Sequence, residues 1–170
     1  MKQSEAWMMQ ARSDLKASAV VFQRDDPESY CQAIAKSQQA VEKSVKAMVA
    51  ALKESGVDAV NISADHYPQK EIFALLLIKR AVSQELVGHI HTIFSGHRLG
   101  EIRALCLLAP NLPPRRNTEY PYPDGIGGWT APAALGSFRV DEVYRFRALA
   151  DDLVPLVGRF VQATEFNLKQ

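Results

Sequence analysis

This sequence has little net charge, few cysteines and no long apolar run. Its 170 residues carry 20 Lys and Arg against 19 Asp and Glu, a formal charge of +1. A near-neutral chain lacks the broad electrostatic grip that duplex nucleic acid demands, although a small basic site remains compatible with it. The two cysteines, Cys31 and Cys106, have no CxxC spacing. They read as reduced core thiols rather than a metal or redox pair. No apolar stretch approaches a membrane span, and the N-terminus lacks the charged-then-apolar order of a signal peptide. A cytoplasmic protein of one domain, residues 1–170, is expected, with no membrane partner. Internal repeats and low-complexity segments are absent.

Apolar residues recur at helical spacing along most of the chain. A first helix is expected from Ser4 to Phe22, with Trp7, Ala11, Leu15, Ser18 and Phe22 on one face. Asp14 lies beside that face; it reads as a partly exposed acid or, more sharply, as one side of an inter-helix ion pair, since a carboxylate near a core usually needs a partner. In the second helix, Asp26 is a good N-cap, Pro27 suits the first position and Gly56 the stop. Its core face is Tyr30, Ile34, Ser37, Val41, Val45, Met48 and Leu52, with Lys36, Gln39, Lys43 and Lys46 facing the other way. Ala33, Ala40, Ser44 and Ala47 flank the core face and permit close approach of another helix. A third helix is expected from Pro68 to about Phe94. Its run "IFALLLI" is apolar nearly all round, as in a central helix or one at a subunit interface. A shorter helix follows Gly96, with Leu99, Ile102, Leu105 and Cys106 inward, and Pro110 ends it.

Residues 110–137 hold six of the nine prolines and four of the nine glycines, so this segment is the irregular one. The last helix should run from Val140 to Phe166. Its face is Val143, Phe146, Ala150, Leu153, Val157, Phe160 and Thr164, and Pro155 should bend it. The expected fold is all-α: an up-and-down bundle of about five helices with a long Pro/Gly-rich loop before the last.

Other residues with possible chemistry have plain readings. His89 and His91 stand two apart on a helix and point to different faces, so no metal site is expected. No cofactor is implied. Gly125-Ile126-Gly127-Gly128 follows no strand and lacks the lysine of a phosphate loop, so it reads as a turn. The lysines of the second helix read as a solvated face rather than a phosphate site. In "NTEYPYPDG", prolines hold an extended path, tyrosines pack, and Asp-Gly turns the chain. A sharper reading adds Arg115, Arg116 and Asn117 to Tyr120, Tyr122 and Asp124 as a candidate nucleotide-binding set. Guanidiniums hold phosphate, the amide meets a base edge, and a ring offers a stacking face.

Several blocks resemble the HEPN family, the higher-eukaryote and prokaryote nucleotide-binding domain. They are "WMMQARSDLKASAVVF", "DPESYCQAIAKSQQAVEKSVKAMVAAL", "GHRLGEIRALC" and "NTEYPYPDG", in family order. The Val57–Phe94 segment is longer than in compact members. The resemblance implies a helical homodimer associated with a nucleotide or single-stranded RNA, often beside a small nucleotidyltransferase partner. The family's ribonucleases carry an Arg followed, roughly four to six residues on, by a His that moves protons while the Arg stabilises phosphate. Here Arg116-Asn117 begins the pattern, but Tyr122 stands where the His is wanted. Arg80 meets His89 only after eight intervening residues. The expectation is therefore a noncatalytic nucleotide- or RNA-binding regulatory module. Two alternatives stay open: a noncanonical ribonuclease or toxin of a toxin–antitoxin pair, and a dimeric interaction subunit that binds no nucleotide.

Overall fold

The computed structural model describes residues 1–23, 26–57, 62, 68–78, 82–109, 116–119, 122–123, 125–134 and 136–167, with side chains through Thr164. Six α-helices dominate: α1 (Gln3–Phe22), α2 (Tyr30–Glu54), α3 (Gln69–Leu77), α4 (Gln84–Ile93), α5 (Gly96–Cys106) and α6 (Val140–Asn167). A 3-10 turn, Pro27–Ser29, leads into α2, and the Asp26 carboxylate caps it by accepting from the Glu28 N–H at 3.1 Å. The all-α bundle is as expected. It has six helices among the described residues rather than about five, because the third helix is two.

Helix α3 stops at Leu77, and α4 begins only after Ser83, whose hydroxyl accepts from the Leu86 N–H at 3.3 Å. The apolar run contains no breaker, so its pattern concealed the stop. Nor is α3 central. Phe73 and Leu77 are 64% and 62% exposed, while Ile72 and Leu75 pack inward. The central helix is α2, which packs on α1, α3, α5 and α6 and buries 19 of its 25 residues.

That position overturns the expected solvated lysine face. Lys36 and Lys43 both reach Asp14 on α1, Lys36 at 3.4 Å. Lys46 is buried; it donates to Glu42 Oε1 at 2.6 Å and lies 5.3 Å from the centroid of the Trp7 ring. With helices on several sides of α2, its long cations must be paired where they are enclosed. The inter-helix partner of the sharper Asp14 reading is thus present twice. Hydroxyls complete the α1–α2 seam. Ser18 Oγ donates to the Ala33 carbonyl at 2.8 Å and lies 2.9 Å from Ser37 Oγ. Ser4 Oγ donates to Glu54 at 2.5 Å.

Helix α6 follows its sequence pattern closely. All seven residues of its expected face are buried, and the helix continues through Pro155. Cys31 and Cys106 are free and buried, and burial raises both thiols above their ordinary value. No helix among the described residues is long and apolar enough to cross a membrane.

Candidate functional site

The loop before α6 is held to the bundle at several points. The Thr118 N–H donates to the Leu108 carbonyl at 3.3 Å, just beyond α5. Asn117 is buried, and its Oδ1 accepts from the Glu119 N–H at 3.0 Å, closing an Asx turn. The Gln39 side-chain amide of α2 donates to Glu119 at 3.4 Å. Beyond it, β1 (Tyr122–Pro123) pairs antiparallel with β2 (Trp129–Thr130), matching Tyr122 with Thr130 and Pro123 with Trp129. The Gly-Ile-Gly-Gly segment makes the turn of this hairpin, as expected, although it does follow a strand, the two-residue β1 that the sequence pattern did not show. Gly125 and Gly127 have φ of +85° and +93°, which only glycine adopts without strain.

Tyr122 and Thr130 share one hairpin face and line an open cleft of about 870 Å³ against the start of α6. Arg116, Arg139 and Arg145 also line it. Each arginine already has a carboxylate. Arg116 donates both ends of its fork to Glu142, at 2.9 and 2.7 Å, and its Nε to the Ser137 carbonyl at 2.8 Å. Its guanidinium carbon lies 4.2 Å from the centroid of the Phe138 ring. Arg139 pairs with Asp141 at 2.7 Å, and Arg145 with Glu101 of α5 at 2.8 Å.

The electrostatics follow from these pairs. The bonds it donates to Glu142 raise Arg116 above the ordinary guanidinium value despite partial burial, with Tyr122 adding to the effect. Burial by itself would raise Glu142. The bonds from Arg116 and the Arg139 N–H, with the Arg116 charge, outweigh it and hold the carboxyl below its ordinary value. Glu101 is likewise lowered, first by its bond from Arg145.

Of the six candidate residues, Arg116 and Tyr122 meet at the cleft, while Asn117 is buried in the turn behind it. Arg115, Tyr120 and Asp124 lie outside the described residues. Sequence reasoning missed Arg139, Glu142 and Arg145. Their signal was the charge cluster in "SFRVDEVYRFR", at the start of the last helix. Among the histidines, His89 and His91 are exposed on α4, and His97 lies 3.5 Å from Glu101. No group of His, Cys, Asp and Glu suited to a metal ion occurs among the described residues.

Residues 4–58 match the family model described as HEPN domain. That span is α1, the capped turn and α2, and it supports the HEPN resemblance on the pair of helices locked by Asp14, Lys36 and Lys43. No curated protein and no solved structure matches the chain.

Proposed function

We propose that the protein is a noncatalytic nucleotide- or RNA-binding module of HEPN type. The HEPN match supports a nucleotide- or RNA-related role in general. The observation that carries the finer reading is the convergence of three arginines on one open cleft: Arg145 from α6, Arg139 just ahead of it and Arg116 from the loop. A phosphate entering there exchanges with a carboxylate already in place. Glu142 holds the Arg116 fork in the planar, bidentate manner that a phosphate would use. Cleavage is not part of this reading because Tyr122, not a histidine, follows Arg116 at the cleft. A phenol is a poor proton-transfer group near neutral pH. A small nucleotidyltransferase partner belongs to the same reading, through the family resemblance.

The test is titration of ATP, GTP and short single-stranded RNA into the wild type and Arg116→Ala, with circular dichroism to confirm the fold. Loss of one charge-assisted phosphate contact should weaken binding about ten- to a hundredfold. Unchanged affinity would remove the cleft from the reading. RNA cleavage that survives purification and disappears in Arg116→Ala would replace it with the ribonuclease alternative.

A second reading has its own observation. Phe73 and Leu77 project from α3 at 64% and 62% exposure, one helical turn apart. They suit the homodimer expected from the resemblance. Light scattering that gives a monomer, unchanged by Phe73→Ser, would dismiss it.

A further inference from the structure

On the opposite face of α1 from Asp14, the chain carries cations of a different kind. Two adjoining cavities, of about 570 and 350 Å³, run between α1 and α6 and share Arg12, Lys16, Gly158 and Gln162. Arg159 lines the smaller one. Arg12, Lys16 and Arg159 are all exposed, and no carboxylate among the described residues pairs with any of them. The one acid lining the groove, Glu5, is tied to the start of α1, where it accepts from the Lys2 N–H at 3.0 Å. The floor is apolar and closed by Met8, Val154 and Val161.

Gly158 supplies an independent observation. Glycine within a helix costs about 1 kcal/mol relative to alanine, yet it sits inside α6. A Cβ there would stand 3.2 Å from Arg12 Nη2 and 3.7 Å from Met8 Cε. The missing side chain opens a cradle in which the Arg12 guanidinium lies against the α6 backbone. This holds an arginine, with no carboxylate to anchor it, at the centre of the groove.

We infer that the α1–α6 groove is a binding site for a ligand carrying several phosphates in a row. Three cations without acidic partners line one trough, and from Glu5 to Lys16 that trough follows roughly 16 Å of helix. Phosphates entering it displace no carboxylate, in contrast to the loop cleft. A nucleoside triphosphate, inorganic polyphosphate and the backbone of a single-stranded oligonucleotide all present this chemistry. The site uses none of the residues of the loop cleft and does not depend on that reading.

The experiment titrates sodium tripolyphosphate, ATP and a twelve-residue oligouridylate into the full chain at low and moderate salt. The wild type is compared with the triple variant Arg12→Gln, Lys16→Gln, Arg159→Gln, with Gly158→Ala, and with Arg116→Ala. Thermal melts confirm each fold. The triple variant should lose at least about tenfold in affinity at low salt, and for the oligonucleotide its log–log salt slope should shrink by about two. Gly158→Ala, which leaves all charges in place, should weaken binding severalfold by pushing Arg12 aside. A loss confined to the oligonucleotide identifies a phosphodiester backbone; a loss shared by tripolyphosphate and ATP identifies a compact polyphosphate. The inference is overturned if the wild type binds none of the probes at low salt. It is equally overturned if neither the triple variant nor Gly158→Ala changes their affinity, or if Arg116→Ala alone abolishes all binding.

Discussion

The loop cleft and the α1–α6 groove each present three basic side chains, and their cations are in opposite states. In the cleft, Arg116, Arg139 and Arg145 are each neutralised by Glu142, Asp141 and Glu101. In the groove, Arg12, Lys16 and Arg159 have no acidic partner among the described residues. Equal numbers of cations thus differ in what an anion must do. In the cleft it competes with a carboxylate that is already bound; in the groove it competes only with water. Arg116 fastens the loop to α6 and Arg145 fastens α6 to α5, whereas the groove cations are tied to no acid among the described residues.

Loosening α6, the helix that borders both sites, should have the largest effect. Phe160 is buried in α6, and Phe160→Ala should cost about 3–5 kcal/mol in chemical denaturation. Both sites should weaken together. Asp14→Ala should cost about 1.5–3 kcal/mol, since it leaves Lys43 and Lys36 beside a seam without their acid. The loss should appear as a lower denaturant midpoint with an unchanged slope. Arg116→Ala should cost less, about 1–2 kcal/mol, because the pair with Glu142 is partly solvated. Hydrogen exchange should then rise at Thr118 and across the hairpin, and not along α1.

Acid separates the two regions further. Glu142 and Glu101 both have lowered values in the fold, so the unfolded chain binds more protons as pH falls. Their contribution is complete above the ordinary carboxylate value of 4.5 and is lost as pH drops through the lower folded values. A melting series from about pH 6 to about pH 3 should therefore fall less steeply in Glu142→Gln than in the wild type. Gly158→Ala should have the smallest effect on stability and the opposite sign. The gain in helix propensity is up to about 1 kcal/mol, and the flexible end of Arg12 can move aside. Higher stability with weaker phosphate binding would mark the glycine as kept for the groove.

Where local pattern fixes an element, sequence and structure agree. The stripe from Val143 to Thr164 is buried throughout because a period of three and four residues describes one face of any helix that packs on a single side. Asp14 was half legible: its place at the edge of an apolar stripe fits a partly exposed acid as well as a paired one, and the fold chose the paired one. The end of α3 was not legible. "IFALLLI" contains no breaker, and the clearest mark was Ser83, an N-cap for α4 read instead as helix interior. The candidate site was half legible. Arg116 and Tyr122 lie at the cleft, but the partner that occupies Arg116 is 26 residues away.

The sequence by itself determined an all-α chain, the limits of α1, α2 and α6, the glycine turn and the HEPN resemblance. Each depends on neighbours within a few positions, where covalent geometry and helical period dictate the outcome. Tertiary structure alone decided which cations are spent and which are free. Lys46 is buried because α2 is the central helix, Arg116 is held because the chain returns to Glu142, and Arg12 is left open beside Gly158. The physical reason is that a charge answers to whatever lies within a few ångströms, and folding sets that neighbourhood from distant parts of the chain.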